Sequence, residues 1–272
     1  MDPVQYCRVY HHMNKYTFLA DTNLDKPFVV YLHGSHGFTK HNVLFIKLLC
    51  SLGFLVVAPD HTQYNFCPEY NTSLKTIQKN RKIYKCIINL RLQETERILN
   101  YLNTDITLIG SSEGGVITSI SNNKHIKKKI ISSYSAEPTY FYRKCLFTRP
   151  DMEIINIIGS HDGYFGRYQS IMQKKHKYHI GHASYCLLNK STRLSNVYVI
   201  KNGLHNYLFD NYRLAKQILS FHLGCQTKFN TTKIRNIVLQ NKRIVWFQIK
   251  LNCITQISAL GEQIYILQSK HT

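Results

Sequence analysis

The sequence predicts an α/β protein built on a mostly parallel central sheet with helices on both faces. Three observations carry that expectation. Six short apolar runs end in turn residues and alternate with segments of helical spacing. The runs are nearly continuous in apolar, β-branched character, as strands covered on both faces should be. Polar, reactive residues then recur at the carboxyl ends of the strands: His33, Asp60, Ser112, Glu137, Asp162 and His205. That edge is where open parallel sheets bind ligands, and the alternation of strand and helix implies right-handed crossovers covering both sides.

Taken in order, "PFVVYLHG" (Pro27 to Gly34) is the first strand. "NVLFIKLLCSLG" follows as a helix, with Leu44, Leu48 and Leu52 on one face and Gly53 closing it. "FLVVAPD" (Phe54 to Asp60) is the second strand. The longest helical pattern runs from Arg81 to Leu102, with Ile83, Ile87, Leu90, Ile98 and Leu102 as the expected core contacts. "DITLIG", "KKIISSYS" (Lys128 to Ser135), "MEIINIIGSHD" (Met152 to Asp162) and "NVYVIKNG" (Asn196 to Gly203) complete the strands. "DNYRLAKQILSFHLG" is the last helix, with Gly224 beyond its end. Residues 1–225 therefore read as one α/β domain. Residues 226–272 form a basic extension with seven Lys/Arg against one Glu. Within it "WFQIKLNCI" alternates like a half-buried strand, "EQIYILQ" could pair with it through a turn near Gly261, and the extension is either a β-hairpin or poorly ordered sequence.

Bulk properties narrow the function classes. A chain of 272 residues with 44% hydrophobic content can bury a core. No stretch approaches the roughly 20 apolar residues of a membrane span, and the N-terminus lacks an apolar signal region. The expectation is a cytoplasmic protein. Its eight cysteines show no C-x-x-C pair and read as reduced thiols. The formal charge of +20 would favour polyanions or acidic substrates. No stripe or motif concentrates it, so nucleic acid is not the expected partner. His33, His36 and His41 cluster without ligand spacing on one face, so no metal site is expected there. "HIKKK" (His125 to Lys129) reads as a solvated connection rather than a phosphate site.

The chemistry centres on "LIGSSEGG". Gly110, Ser112 and Gly114 fit G-x-S-x-G, with a strand before the serine and a helix after it, the context of a nucleophile elbow. A serine hydroxyl needs a base to take its proton. His205 lies in the loop between the last strand and the last helix, where it can reach over the sheet. An acid must fix the imidazole tautomer. Asp162 ends its strand and is the first candidate, with Glu137 as the alternative. An oxyanion hole needs two backbone N–H groups. Glu113 would supply one and Ser35 the other, with Gly34 as the alternative to Ser35. The glycines of "HGSHGF" could instead serve only a tight turn.

Together "YLHGSHGF", "LVVAPDH", "LIGSSEGG", "IIGSHD" and "GLHNY" resemble the α/β-hydrolase superfamily, closest to its dienelactone-hydrolase-like branch. "RLQETERILNYL" also resembles the helix that precedes the elbow there. The resemblance spans roughly residues 27 to 224, and the chain order Ser, Asp, His is that of the superfamily. It implies the α/β-hydrolase fold, with Ser112 as nucleophile, Asp162 as acid and His205 as base. Dienelactone hydrolases use a cysteine nucleophile, so Ser112 points to relatives of esterase or peptidase type. His36 stands where such relatives usually carry a small residue. The implied function is a serine hydrolase of an ester, thioester or amide, acting on a small-molecule acyl substrate without cofactor or metal. The competing reading is a hydrolase fold kept as a non-catalytic binding module.

Overall fold

The computed structural model describes residues 11–12, 15–16, 27–59, 61, 81–138, 146–166, 170–171, 179–183, 194–200, 202–206, 212–225, 252–257 and 263–268. Asp60, Gly261 and most of "WFQIKLNCI" lie outside them. A short antiparallel ribbon joins β1 (His11–His12) to β2 (Lys15–Tyr16). Each of the six predicted runs then forms a strand. They are β3 (Phe28–Leu32), β4 (Leu55–Val57), β5 (Ile106–Ser111), β6 (Ile126–Ser132), β7 (Glu153–Gly159) and β8 (Leu194–Ile200). The helices are α1 (Lys40–Ser51), α2 (Arg81–Leu102), α3 (Glu113–Ile120) and α4 (Tyr212–His222).

These six strands pair in parallel in the order β4-β3-β5-β6-β7-β8. Two more, β9 (Asn252–Ile257) and β10 (Gln263–Gln268), form an antiparallel hairpin, and β10 pairs antiparallel with β8. The chain leaves β3 for the β4 edge and returns to β5 on the other side of β3. The order of strands therefore reverses between β3 and β5, the crevice where open α/β sheets bind ligands.

Strand alternation divides the core into two layers. Val30, Leu32 and Leu108 face α2 and α3, meeting Ile88, Leu99, Val116 and Ile117. Val29, Tyr31, Ile109 and Ile155 face α1 and α4, meeting Phe45, Leu48, Leu49, Leu214 and Ile218. The expected helical faces hold in part: Leu48 and Ile98 are buried and Leu52 and Leu102 pack against the core, but Leu44 and Leu90 do not. In α1 the buried residues are Asn42, Phe45, Leu48 and Leu49, while Leu44 points to solvent. Asn42 earns its place by accepting a hydrogen bond from the Tyr31 hydroxyl at 2.5 Å and donating to Thr39 Oγ1 at 2.8 Å. In α2 the buried residues include Tyr84, Ile88, Arg91, Glu94, Thr95, Ile98 and Leu99, Leu90 is exposed, and the side chain of Ile83 lies outside the described ones. The apolar residues alone rotate that helix by about one position, because its inward face carries polar groups.

Lys129 is another correction. It is fully buried rather than solvated, and its ammonium donates to the carbonyls of Ser119, Ser121 and Phe147 at 3.1, 2.7 and 2.9 Å. It thereby satisfies carbonyls at the C-terminal end of α3 that the helix leaves without partners.

Candidate active site

The turn between β5 and α3 holds Ser112 at φ 54° and ψ −115°. A non-glycine residue there is strained, by about 1–3 kcal/mol, and such strain collects at functional sites. The surrounding glycines explain how the turn fits. A Cβ on Gly110 would lie 2.2 Å from both the Gly114 carbonyl oxygen and Thr118 Oγ1. One on Gly114 would lie 2.1 Å from the Leu32 carbonyl oxygen, so α3 can approach β3 only with glycine there. The Ser112 amide donates to the Ser132 carbonyl at 2.9 Å, which fixes the turn to β6. Ser111, by contrast, is a buried strand residue.

The structure brings Ser112, Asp162 and His205 together. His205 Nε2 lies 2.9 Å from Ser112 Oγ, and Nδ1 lies 2.7 Å from Asp162 Oδ2. Asp162 is fully buried after β7, and its other oxygen accepts the amides of Tyr164 and Phe165 at 2.8 and 3.0 Å. Those two bonds aim Oδ2 at the ring. The carboxylate requires a proton on Nδ1, which leaves the Nε2 lone pair facing the serine hydroxyl. His205 is held from behind as well, because the Ser133 hydroxyl donates to its carbonyl. The Tyr164 ring lies against the imidazole, with centroids 4.7 Å apart.

Glu137 is engaged elsewhere. Its carboxylate accepts the amides of Ile180 and Gly181 at 3.0 and 2.9 Å and pairs with His179 Nδ1 at 2.8 Å. Burial alone would raise this carboxyl, but the His179 hydrogen bond and charge and the two amides hold it below its usual value. Burial opposes charge on His179 too, yet the bond and charge of Glu137 raise its pKa. His179, Ile180 and Gly181 are thus anchored on the buried Glu137.

Gly34, the residue before Ser35, lies beside the serine. A Cβ on Gly34 would sit 3.3 Å from Ser112 Cβ. His33 is buried at the start of this loop. Its Nε2 accepts the His61 amide at 3.0 Å, so its proton is on Nδ1 and is donated to the Gly34 carbonyl at 2.6 Å. His36 is exposed. The Glu113 carboxylate turns inward to Arg91, and Arg91 also donates to the His33 carbonyl at 2.6 Å. Burial pushes the Glu113 carboxyl up to about 8. Neither Arg91 nor Ser133 stands out in the sequence as a site residue. A sequence signal for Arg91 does exist: it falls on the spacing of Tyr84, Ile88, Thr95 and Ile98, a charge within an inward stripe.

No family model matches the chain, and no curated protein matches it. Solved structures do. A Klebsiella pneumoniae protein provisionally named a dienelactone hydrolase shares 16% identity over 74% of this chain and 88% of its own, with a TM-score of 0.52. A Xanthomonas campestris protein provisionally named an α/β-superfamily hydrolase covers 74% of this chain and all of its own, at 13% identity and a TM-score of 0.49. Sheet order, helical layers and the first of these matches agree: the chain has the α/β-hydrolase fold, and its structural neighbours include dienelactone-hydrolase-like proteins.

Proposed function

We propose that the protein is a serine hydrolase, most simply of carboxylic esters, with thioesters and amides within reach of the same chemistry. The observation that carries this reading is the continuous hydrogen-bonded chain from Ser112 Oγ through the His205 ring to Asp162. His205 Nε2 takes the serine proton as Oγ attacks the substrate carbonyl. Asp162 holds the ring and stabilises the imidazolium that forms. The tetrahedral oxyanion is received by the amides of Glu113 and Ser35, the first aided by the positive end of α3. His205 then returns the proton to the departing alcohol, thiol or amine, leaving Ser112 acylated. Water, deprotonated by the same ring, attacks the acyl carbonyl and frees the acid and the serine. The steps consume one water per bond cleaved.

The test is turnover of p-nitrophenyl esters of graded acyl length, with Ser112→Ala as control. The expected result is hydrolysis that Ser112→Ala reduces to background. Absence of turnover across the series, with tight polyanion binding by the +20 chain, would favour the non-catalytic binding module instead.

A further inference from the structure

The reaction as described gives no task to the buried Arg91. Arg91 lies on the inward stripe of α2 at 3% exposure. A buried ion pair is weak support for stability by itself, because desolvation offsets much of the attraction. What sets Arg91 apart is where its fork points. Nη1 donates to the carboxylate of Glu113, the residue directly after Ser112. Nη2 donates to the carbonyl of His33 at 2.6 Å, two residues before Ser35. The guanidinium therefore holds the two segments that carry the amides assigned to the oxyanion.

Those segments already touch. A Cβ on Gly114 would meet the carbonyl oxygens of Leu32 and His33 at 2.1 and 2.7 Å, so the start of α3 rests on the end of β3. The loop after His33 is shaped by that histidine's own ring, which donates to the Gly34 carbonyl at 2.6 Å. Any movement of the His33 peptide thus carries Gly34 and Ser35 with it. A planar guanidinium fixes two acceptors in one geometry, which a lysine ammonium cannot do.

We propose that Arg91 is a positioning residue whose fork locks the end of β3 to the first turn of α3. It thereby sets the separation and aim of the Ser35 and Glu113 amides. The proposal rests on the serine-hydrolase reading of Ser112. Because oxyanion donors act on the transition state more than on bound ester, a misplaced pair lowers kcat and leaves KM largely intact.

Steady-state kinetics on the p-nitrophenyl ester that the wild type turns over best would compare Arg91→Lys with the double variant Arg91→Met/Glu113→Leu. The double variant leaves no unpaired buried charge and is the one expected to keep its fold, checked by thermal unfolding. We expect both to lose roughly 10- to 100-fold in kcat with KM within about twofold. Phosphonylation of Ser112 should slow in proportion. A double variant as stable as the wild type and with its kcat would overturn the clamp alone, as would a loss confined to KM. A wild type with no turnover and no Ser112 phosphonylation would overturn the hydrolase reading and the clamp with it.

Discussion

Asp162 gives one carboxylate oxygen to two backbone amides and the other to His205. Glu137 gives both of its oxygens to His179 and the Ile180–Gly181 backbone. Chain position alone leaves both as candidate acids, and their hydrogen bonds assign them different tasks. Asp162→Asn should present the wrong tautomer of His205 to the serine and lower kcat by about 10⁴-fold. Glu137→Gln should keep kcat and lose stability. The lowered pKa of Glu137 contributes stability above about 4.5 that is lost as pH falls through its folded value. The raised pKa of His179 contributes stability below about 6.5 that is lost as pH rises through its folded value. The pair's full contribution therefore lies between those pH values. Unfolding curves should show the largest gap between wild type and Glu137→Gln in that window. Equal kcat for Asp162→Asn and wild type would remove Asp162 from the mechanism.

Strand β6 and the residue after it hold two members of the site. Its end binds Ser112 through the Ser132 carbonyl and His205 through the Ser133 hydroxyl, while Lys129 caps the far end of α3. Lys129→Met would take the ammonium from three carbonyls, of which that of Ser119 keeps the Phe147 amide. We expect a stability loss of about 1–3 kcal/mol in urea unfolding. A variant as stable as wild type would show that those carbonyls find other partners. The sequence makes the strands legible because each is a continuous apolar run bounded by turn residues. It places the helix faces only in part, for one physical reason. Inward positions of α1 and α2 include Asn42 and Arg91, which bond the Tyr31 hydroxyl and the His33 carbonyl, tertiary partners that no local pattern announces, and Thr95, whose hydroxyl donates back to the Arg91 carbonyl one turn earlier. Reading only the apolar residues turned Leu44 and Leu90 inward, and both are exposed. Lys129 misled in the same way, since its burial depends on carbonyls from two other segments.

Across the whole molecule, the strand order places the β3 and β5 ends at the sheet's switch point, and Ser112 and Gly34 meet there. The loops after β7 and β8 then bring in Asp162 and His205. This much could be anticipated, because chain order and strand-end position follow from topology. The Arg91 fork could not, since it depends on which side of α2 meets the elbow. Among the described residues no helix is long and apolar enough to cross a membrane. The central claim is that this arrangement activates Ser112 as a nucleophile. Labelling with a fluorophosphonate probe, followed by peptide mass spectrometry, tests it most directly. The account predicts one modified peptide, carrying the probe on Ser112, that disappears in Ser112→Ala and fades in Asp162→Asn. Labelling of equal strength in Ser112→Ala, or none in the folded wild type, would contradict it.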